Sequence, residues 1–197
     1  MTEFALRDGE LCCEDVPLAR LAAEHGTPLY VYSRGALLAR YRAFDEAFRD
    51  LPHVVCFAMK ANDHLAILRL LARAGAGFDV VSGGELWKAL RAGADPGKIV
   101  FSGVGKTEAE IEYALRERIC MLNVESPQEL EAVARVAKRV GVRAPISLRV
   151  NPDVDPKTHP YISTGMKKSK FGIDIAEAGV HYRRARELGD LALVGVD

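Results

Sequence analysis

A lysine at the end of an apolar run is the first place where this chain could do chemistry. Val54-Val55-Cys56-Phe57-Ala58-Met59 reads as a buried strand, and Lys60-Ala61-Asn62 follow it directly. A lysine at such an exit keeps its carbon stem among packed side chains and its amine at the end of the sheet. Desolvation disfavours the ammonium, and the neutral amine is a nucleophile that condenses with carbonyl carbon. The plain alternative is a strand-end lysine reaching into solvent. Asp79 lies inside Phe78-Asp79-Val80-Val81, and Arg149 inside Leu148-Arg149-Val150. A charge in such a run is costly to bury alone, so each is expected to have a partner. Lys60 and Arg149 are the candidates for Asp79. A buried Asp–Arg pair serves structure as readily as catalysis.

Two further runs invite a functional reading and do not sustain it. Gly103-Val104-Gly105-Lys106-Thr107 sits between a strand-like and a helix-like segment, as a phosphate-binding loop does. That motif needs a glycine where Val100 stands. A tight turn capped by Thr107 is the better reading, although its backbone amides could still face an anion. Asn151-Pro152-Asp153-Val154-Asp155 carries two acids but lacks the glycine and terminal glutamate of a calcium loop. It reads as the start of a long loop through His159-Pro160-Tyr161 and Ser163-Thr164-Gly165 to Lys170-Phe171-Gly172. No metal site is expected.

The elements that must position these residues alternate in kind. Short apolar runs at 54–59, 78–81, 99–101, 119–122, 146–150 and 191–196 lack the every-other-residue polarity of a half-exposed strand, so they read as strands buried on both faces. Between them lie helical stripes: Leu37, Tyr41, Phe44 and Phe48; Ile67, Leu70, Leu71 and Ala74; Leu130, Val133, Ala134, Ala137 and Val140. Ser126, Pro127 and Glu129 mark a helix start with a capping box, and Thr107 with Glu110 and Asp174 with Glu177 do likewise. Gly75, Gly93 and Gly141 stand where left-handed caps end helices. Gly83-Gly84 lets a helix begin close to a strand end.

Repeated βα units imply a parallel sheet with helical crossovers. It is either an open doubly wound sheet or an eight-stranded barrel. Polar residues follow nearly every strand: Lys60 and Asn62, Ser82, Ser102, Asn123 and Glu125, Asn151. A barrel gathers all those ends into one site, whereas an open sheet concentrates its ligand groups at one switch point. The barrel is therefore expected, incomplete at about six units. Residues 1–30 fall outside the rhythm and read as an arm or extra strand, leaving 31–197 for the barrel portion.

The chain has 197 residues, with 27 Lys+Arg against 27 Asp+Glu. That balance gives no global field to attract nucleic acid or an anionic membrane. The 4 cysteines form no Cys-x-x-Cys pair. Cys56 and Cys120 read as small core residues, and the set suits a reducing compartment. Acidic residues near the start and the lack of any span-length apolar run lead to the expectation of a cytoplasmic protein.

Taken together the runs resemble the diaminopimelate decarboxylases, pyridoxal-phosphate enzymes of the alanine-racemase-like barrel class. The resemblance rests on Phe57-Ala58-Met59-Lys60-Ala61-Asn62, on Phe78-Asp79-Val80-Val81-Ser82-Gly83-Gly84-Glu85-Leu86, and on Phe101-Ser102-Gly103-Val104-Gly105-Lys106-Thr107. It continues through Asn123-Val124-Glu125-Ser126, Leu148-Arg149-Val150-Asn151-Pro152-Asp153-Val154-Asp155, Thr158-His159-Pro160-Tyr161-Ile162-Ser163-Thr164-Gly165 and Lys170-Phe171-Gly172-Ile173. The order matches the family over nearly the whole chain; Phe57 stands where the family often has Tyr.

The resemblance implies that Lys60 holds pyridoxal 5'-phosphate through an imine, with Asp79 and Arg149 supporting the cofactor. It implies decarboxylation of meso-2,6-diaminopimelate to L-lysine, the last step of lysine biosynthesis, by a protein that is a homodimer when full length. Related ornithine, arginine or carboxynorspermidine decarboxylases, or a non-catalytic pyridoxal-phosphate-binding barrel, are the alternatives. In the family a further part of the cofactor site and a β-domain follow. This chain is accordingly expected to be an N-terminal portion, inactive or nearly so alone.

Overall fold

The computed structural model describes residues 3–154 and 171–197. Runs 158–165 and Lys170, part of the resemblance, lie outside the described residues, as does Asp155. The chain opens with three short antiparallel strands, β1 (Phe4–Arg7), β2 (Glu10–Cys13) and β3 (Val16–Pro17), followed by helix α1 (Leu18–His25). The arm is thus a small sheet plus a helix rather than a single added strand. Its tie to the rest is Glu14, whose Oε1 accepts from the Ser33 hydroxyl and the Gly35 N–H, both at 2.7 Å.

The βα rhythm then runs as the patterning predicts. Helix α2 (Arg34–Ala47) precedes strand β4 (Cys56–Ala58) and helix α3 (Leu65–Ala74). Next come β5 (Gly77–Val80), α4 (Gly83–Ala92), β6 (Ile99–Phe101), α5 (Glu108–Glu117), β7 (Met121–Val124) and α6 (Pro127–Val140). The chain closes with β8 (Ala144–Leu148), the two-residue β9 (Val150–Asn151) and β10 (Ile173–Asp174), α7 (Ile175–Glu187) and β11 (Leu191–Val196). Six strands form one parallel sheet in the order β11-β8-β7-β6-β5-β4. The order follows the sequence with no reversal. Right-handed crossovers in that order put every helix on one face, which is the wall of a βα barrel and not a doubly wound sheet.

Phe78, Val80, Ile99, Phe101, Leu122, Val124, Ile146 and Leu148 are fully buried and pack into one cluster with Leu68, Leu86, Ile111, Leu130 and Val133 from the helices. The residues alternating with them along each strand face the opposite, concave side. Gly77 is required there: a Cβ would lie 2.3 Å from the Lys98 carbonyl oxygen.

Local chemistry sets the helix ends. Gly75, Gly93 and Gly141 all adopt the left-handed cap. Thr107 and Glu110 make a reciprocal capping box. Ser126 accepts from the Glu129 N–H at 3.2 Å, but the box expected there does not close. Glu129 reaches instead to the Glu125 N–H, 3.0 Å away, and to Lys106. The α2 stripe is only half covered, since Leu37 and Tyr41 pack on the core while Phe44 and Phe48 are exposed. Among the described residues no helix is long and apolar enough to cross a membrane.

The expectation that Cys56 and Cys120 are core residues holds only in part. Cys12 and Cys13 are the buried pair, and all four thiols are free. Cys56 and Cys120 are half-buried and line a hollow at the N-terminal end of the concave face with Val54, Val100 and Met121. Burial pushes the Cys56 thiol up to about 11, with the Asp79 carboxylate and Cys120 adding to the shift.

Candidate active site

Lys60 is the middle residue of a single 3-10 turn, Met59–Ala61, at the C-terminal end of β4. Met59 is fully buried and anchors the turn. The pairing of Ala58 with Asp79 sets the turn beside the Asp79 end of β5. Lys60 itself is exposed, and it makes no hydrogen bond or ion pair among the described residues. The dry surroundings expected of it are therefore absent here. β4 is an edge of the sheet, with a neighbouring strand on one side alone, so nothing in the described residues closes over the amine.

Asp79 faces the concave side of β5, as its place in the strand implies. Its partner is neither Lys60 nor Arg149. The Ser102 hydroxyl donates to Asp79 Oδ1 at 2.7 Å. Asn123 Nδ2 donates to Ser102 Oγ at 3.2 Å, and the Ser147 hydroxyl donates to Asn123 Oδ1 at 2.5 Å. Asn123 and Ser147 are register partners on β7 and β8. A polar ladder thus crosses four neighbouring strands at the C-terminal end of the concave face. Its terminus, the Asp79 carboxylate, has Oδ1 held in place.

A second cluster lies beyond β7 and β8. Arg149 follows the last residue of β8, at the break before β9, rather than inside a continuous strand. The ladder still passes through it: its N–H bonds to the Val124 carbonyl at 2.9 Å, and the Val150 N–H to the Asp197 carbonyl at 2.9 Å. Arg149 Nη1 donates to Glu125 Oε1 at 2.8 Å, Nε lies 3.7 Å from an Asp197 oxygen, and the guanidinium sits 5.0 Å from the Phe171 ring centroid. Burial raises the Asp197 carboxyl, and Arg149 opposes that shift. Gly172 adopts a positive φ of 77° and lets the returning chain pass under Arg149; a Cβ would meet the Arg149 carbonyl oxygen at 3.0 Å.

Glu125 was visible in the sequence only as one of several polar strand exits. It is 5% exposed. Its Oε1 also accepts from the Gly103 N–H at 2.9 Å, so the amide of the glycine-rich turn does face an anion, an internal one. Its Oε2 is buried with no partner.

Lys106, which imitates a phosphate-loop lysine, points inward. Its side chain is 1% exposed. Nζ donates to the Gly103 and Asn123 carbonyls at 2.8 and 2.7 Å and to Glu129 Oε1 at 2.7 Å. Three acceptors satisfy the three ammonium protons, and the amine braces the turns after β6 and β7. In the 151–154 segment, Asn151 Oδ1 accepts from the Asp153 N–H at 3.0 Å, a local turn bond. No group of three or more metal-ligating side chains occurs among the described residues.

A family model described as the pyridoxal binding domain of pyridoxal-dependent decarboxylases matches residues 34–197. The chain belongs to that family. Its cofactor is pyridoxal phosphate. The diaminopimelate decarboxylase of Pseudomonas aeruginosa is 57% identical over 197 residues, 100% of this chain and 48% of that protein. Two solved structures of diaminopimelate decarboxylase complexed with L-lysine superpose closely. The Helicobacter pylori one has a TM-score of 0.88 at 45% identity, covering 91% of this chain and 45% of that one. The M. jannaschii one has a TM-score of 0.89 at 40% identity, covering 98% and 46%. The chain spans about half the length of the curated relatives it matches.

The residues present fit a pyridoxal group. An aldehyde needs an accessible amine, and Lys60 is exposed and unpaired among the described residues. The concave face offers oriented carboxylate, hydroxyl and guanidinium groups at the strand ends, where barrels bind ligands. The buried lone oxygen of Glu125 leaves an acceptor for a donor supplied from outside the chain.

Proposed function

We propose that the full-length protein decarboxylates meso-2,6-diaminopimelate to L-lysine with pyridoxal 5'-phosphate. The observation that carries this reading is an unpaired Lys60 amine at the C-terminal rim of a barrel wall shared with lysine-complexed diaminopimelate decarboxylases. The chemistry the bound cofactor contributes is an electron sink for the pair left behind when a carboxylate departs as carbon dioxide.

This chain's residues hold and orient. Lys60 Nζ would hold the cofactor at its aldehyde carbon, as the accessible nucleophilic amine of the rim. Asp79, fixed through Ser102, presents a carboxylate next to the Lys60 turn. Arg149, fixed by Glu125, presents a cation at the other side of the described wall, suited to a carboxylate or phosphate. Residues 31–197 form the cofactor-binding portion and residues 1–30 an arm; the separate small sheet at 4–17 supports that division. The free thiols support a reducing, cytoplasmic setting. The exposed Tyr30 and Tyr32 support the coverage of this flank in a full-length homodimer.

Substrate profiling of the full-length protein tests the reading. Carbon dioxide release from meso-diaminopimelate should exceed that from ornithine, arginine or carboxynorspermidine by orders of magnitude. Preference for one of those amines would move the assignment to a neighbouring decarboxylase. No release from any of them would leave a binding barrel.

A further inference from the structure

We propose that Glu125 is a positioning residue: it aims Arg149 into the barrel mouth and keeps Oε2 open for a hydroxyl or ammonium donor of the bound cofactor or amino acid. This rests on the function proposed above and deepens it. Three observations carry it. Glu125 is 5% exposed, and a carboxylate that deep is costly unless its lone pairs are met. Oε1 is met twice, by Gly103 N–H at 2.9 Å and Arg149 Nη1 at 2.8 Å. Oε2 is met by nothing, and it is the one buried side-chain polar atom among the described residues of which that is true.

A purely structural strut does not account for this asymmetry. Natural folds satisfy buried polar atoms nearly without exception, and a lasting orphan marks a place where the partner comes from elsewhere. Lys106, one turn away, shows what a strut looks like: all three of its protons are used. The alternation along β7 puts Glu125 on the same face as Asn123, and Arg149 on the same face as Ser147, so the pair borders the polar ladder that ends at Asp79. Arg149 is held by Glu125 at one edge and rests on Phe171, with 30% of its side chain still exposed.

The test is Glu125→Gln in the full-length protein, which turns an acceptor into a donor at almost constant shape. Two titrations are read: pyridoxal phosphate into apoprotein by absorbance, and L-lysine into holoprotein by the change in the cofactor band. A donor on the cofactor predicts at least a tenfold weaker first titration. A donor on the amino acid predicts the same loss in the second with the first unchanged. In either case the urea midpoint of the apoprotein stays close to wild type. Both affinities within twofold of wild type would overturn the proposal and leave Oε2 to a water or to a group of the rest of the full-length chain. If Glu125→Gln does not fold, Arg149→Lys keeps the positive charge but loses the planar fork. It must weaken one of the two titrations by a similar factor, and unchanged affinities would overturn the proposal equally. Failure of the wild-type protein to bind pyridoxal phosphate at Lys60 would instead remove the functional reading, and this inference with it.

Discussion

The two faces of the six-stranded parallel sheet obey different rules. The convex face is dry: Phe78, Phe101, Leu122, Ile146 and Leu148 are fully buried against helices, and the Lys106 ammonium 5.6 Å from the Phe101 ring centroid is itself buried and paired with Glu129. The concave face grades along its strands. Its N-terminal end is a largely apolar hollow with Cys56, Val100, Cys120 and Met121. Its C-terminal end carries Asp79, Ser102, Asn123 and Ser147 in a hydrogen-bonded row. The period-two geometry of a strand makes this possible, because neighbouring residues serve opposite faces and one strand meets both demands. Stability resides mainly in one set of positions and chemistry in the other.

The sharpest way to break that division is a deletion on each face. Phe101→Ala should cost about 3–5 kcal/mol in urea unfolding, because it empties a fully buried ring site, while leaving the affinity for pyridoxal phosphate nearly unchanged in the absence of denaturant. A cost under about 1 kcal/mol would mean that the convex face is not the stabilising one. Lys106→Met should come next, at roughly 3 kcal/mol, since it strands two carbonyls and the Glu129 carboxylate in the interior. Its site-bracing role predicts weakened cofactor binding as well.

Ser147→Ala on the concave face should cost only about 1–2 kcal/mol, the value of one buried hydrogen bond left open at Asn123. If it matches Phe101→Ala in stability, the two faces are not distinct in kind. The smallest effect is a pH dependence. The Gly83 and Thr107 N–H groups hold the Glu110 carboxyl below its ordinary value of 4.5. A depressed acid contributes stability above its unfolded value and loses it as pH falls through the folded one. Glu110→Gln should therefore flatten the acid limb of stability below about pH 4.5 and leave the neutral region nearly level.

Much of this was legible in the sequence, and the failures are informative. The six sheet strands were found because burial on both faces gives short apolar runs that no amphipathic helix imitates. The helix ends were found because Ser126, Thr107 and the three cap glycines act locally. Partners across the sheet were not found. Asp79 and Arg149 lie three strands apart, roughly 14 Å at about 4.8 Å per strand, so their pairing was excluded by a register that sequence does not print. Ser102, on the adjacent strand, was the reachable group. Lys106 was obscured by its glycine-rich setting, which suggests a phosphate when the acceptors are the protein's own carbonyls. The clue was Glu129, a capping residue placed where it also serves the neighbouring turn. The exposure of Lys60 is not legible in the sequence, because an edge strand looks the same there as a central one.

The central claim is that the concave rim does its chemistry through Lys60. Borohydride reduction of the full-length protein with pyridoxal phosphate, followed by peptide mapping, tests it directly. The account predicts the stable adduct on Lys60. In Lys60→Ala it predicts loss of the adduct and a drop in turnover on the order of a thousandfold or more, with unfolding unchanged because the side chain is exposed. An adduct on another lysine, or full turnover in Lys60→Ala, would contradict it.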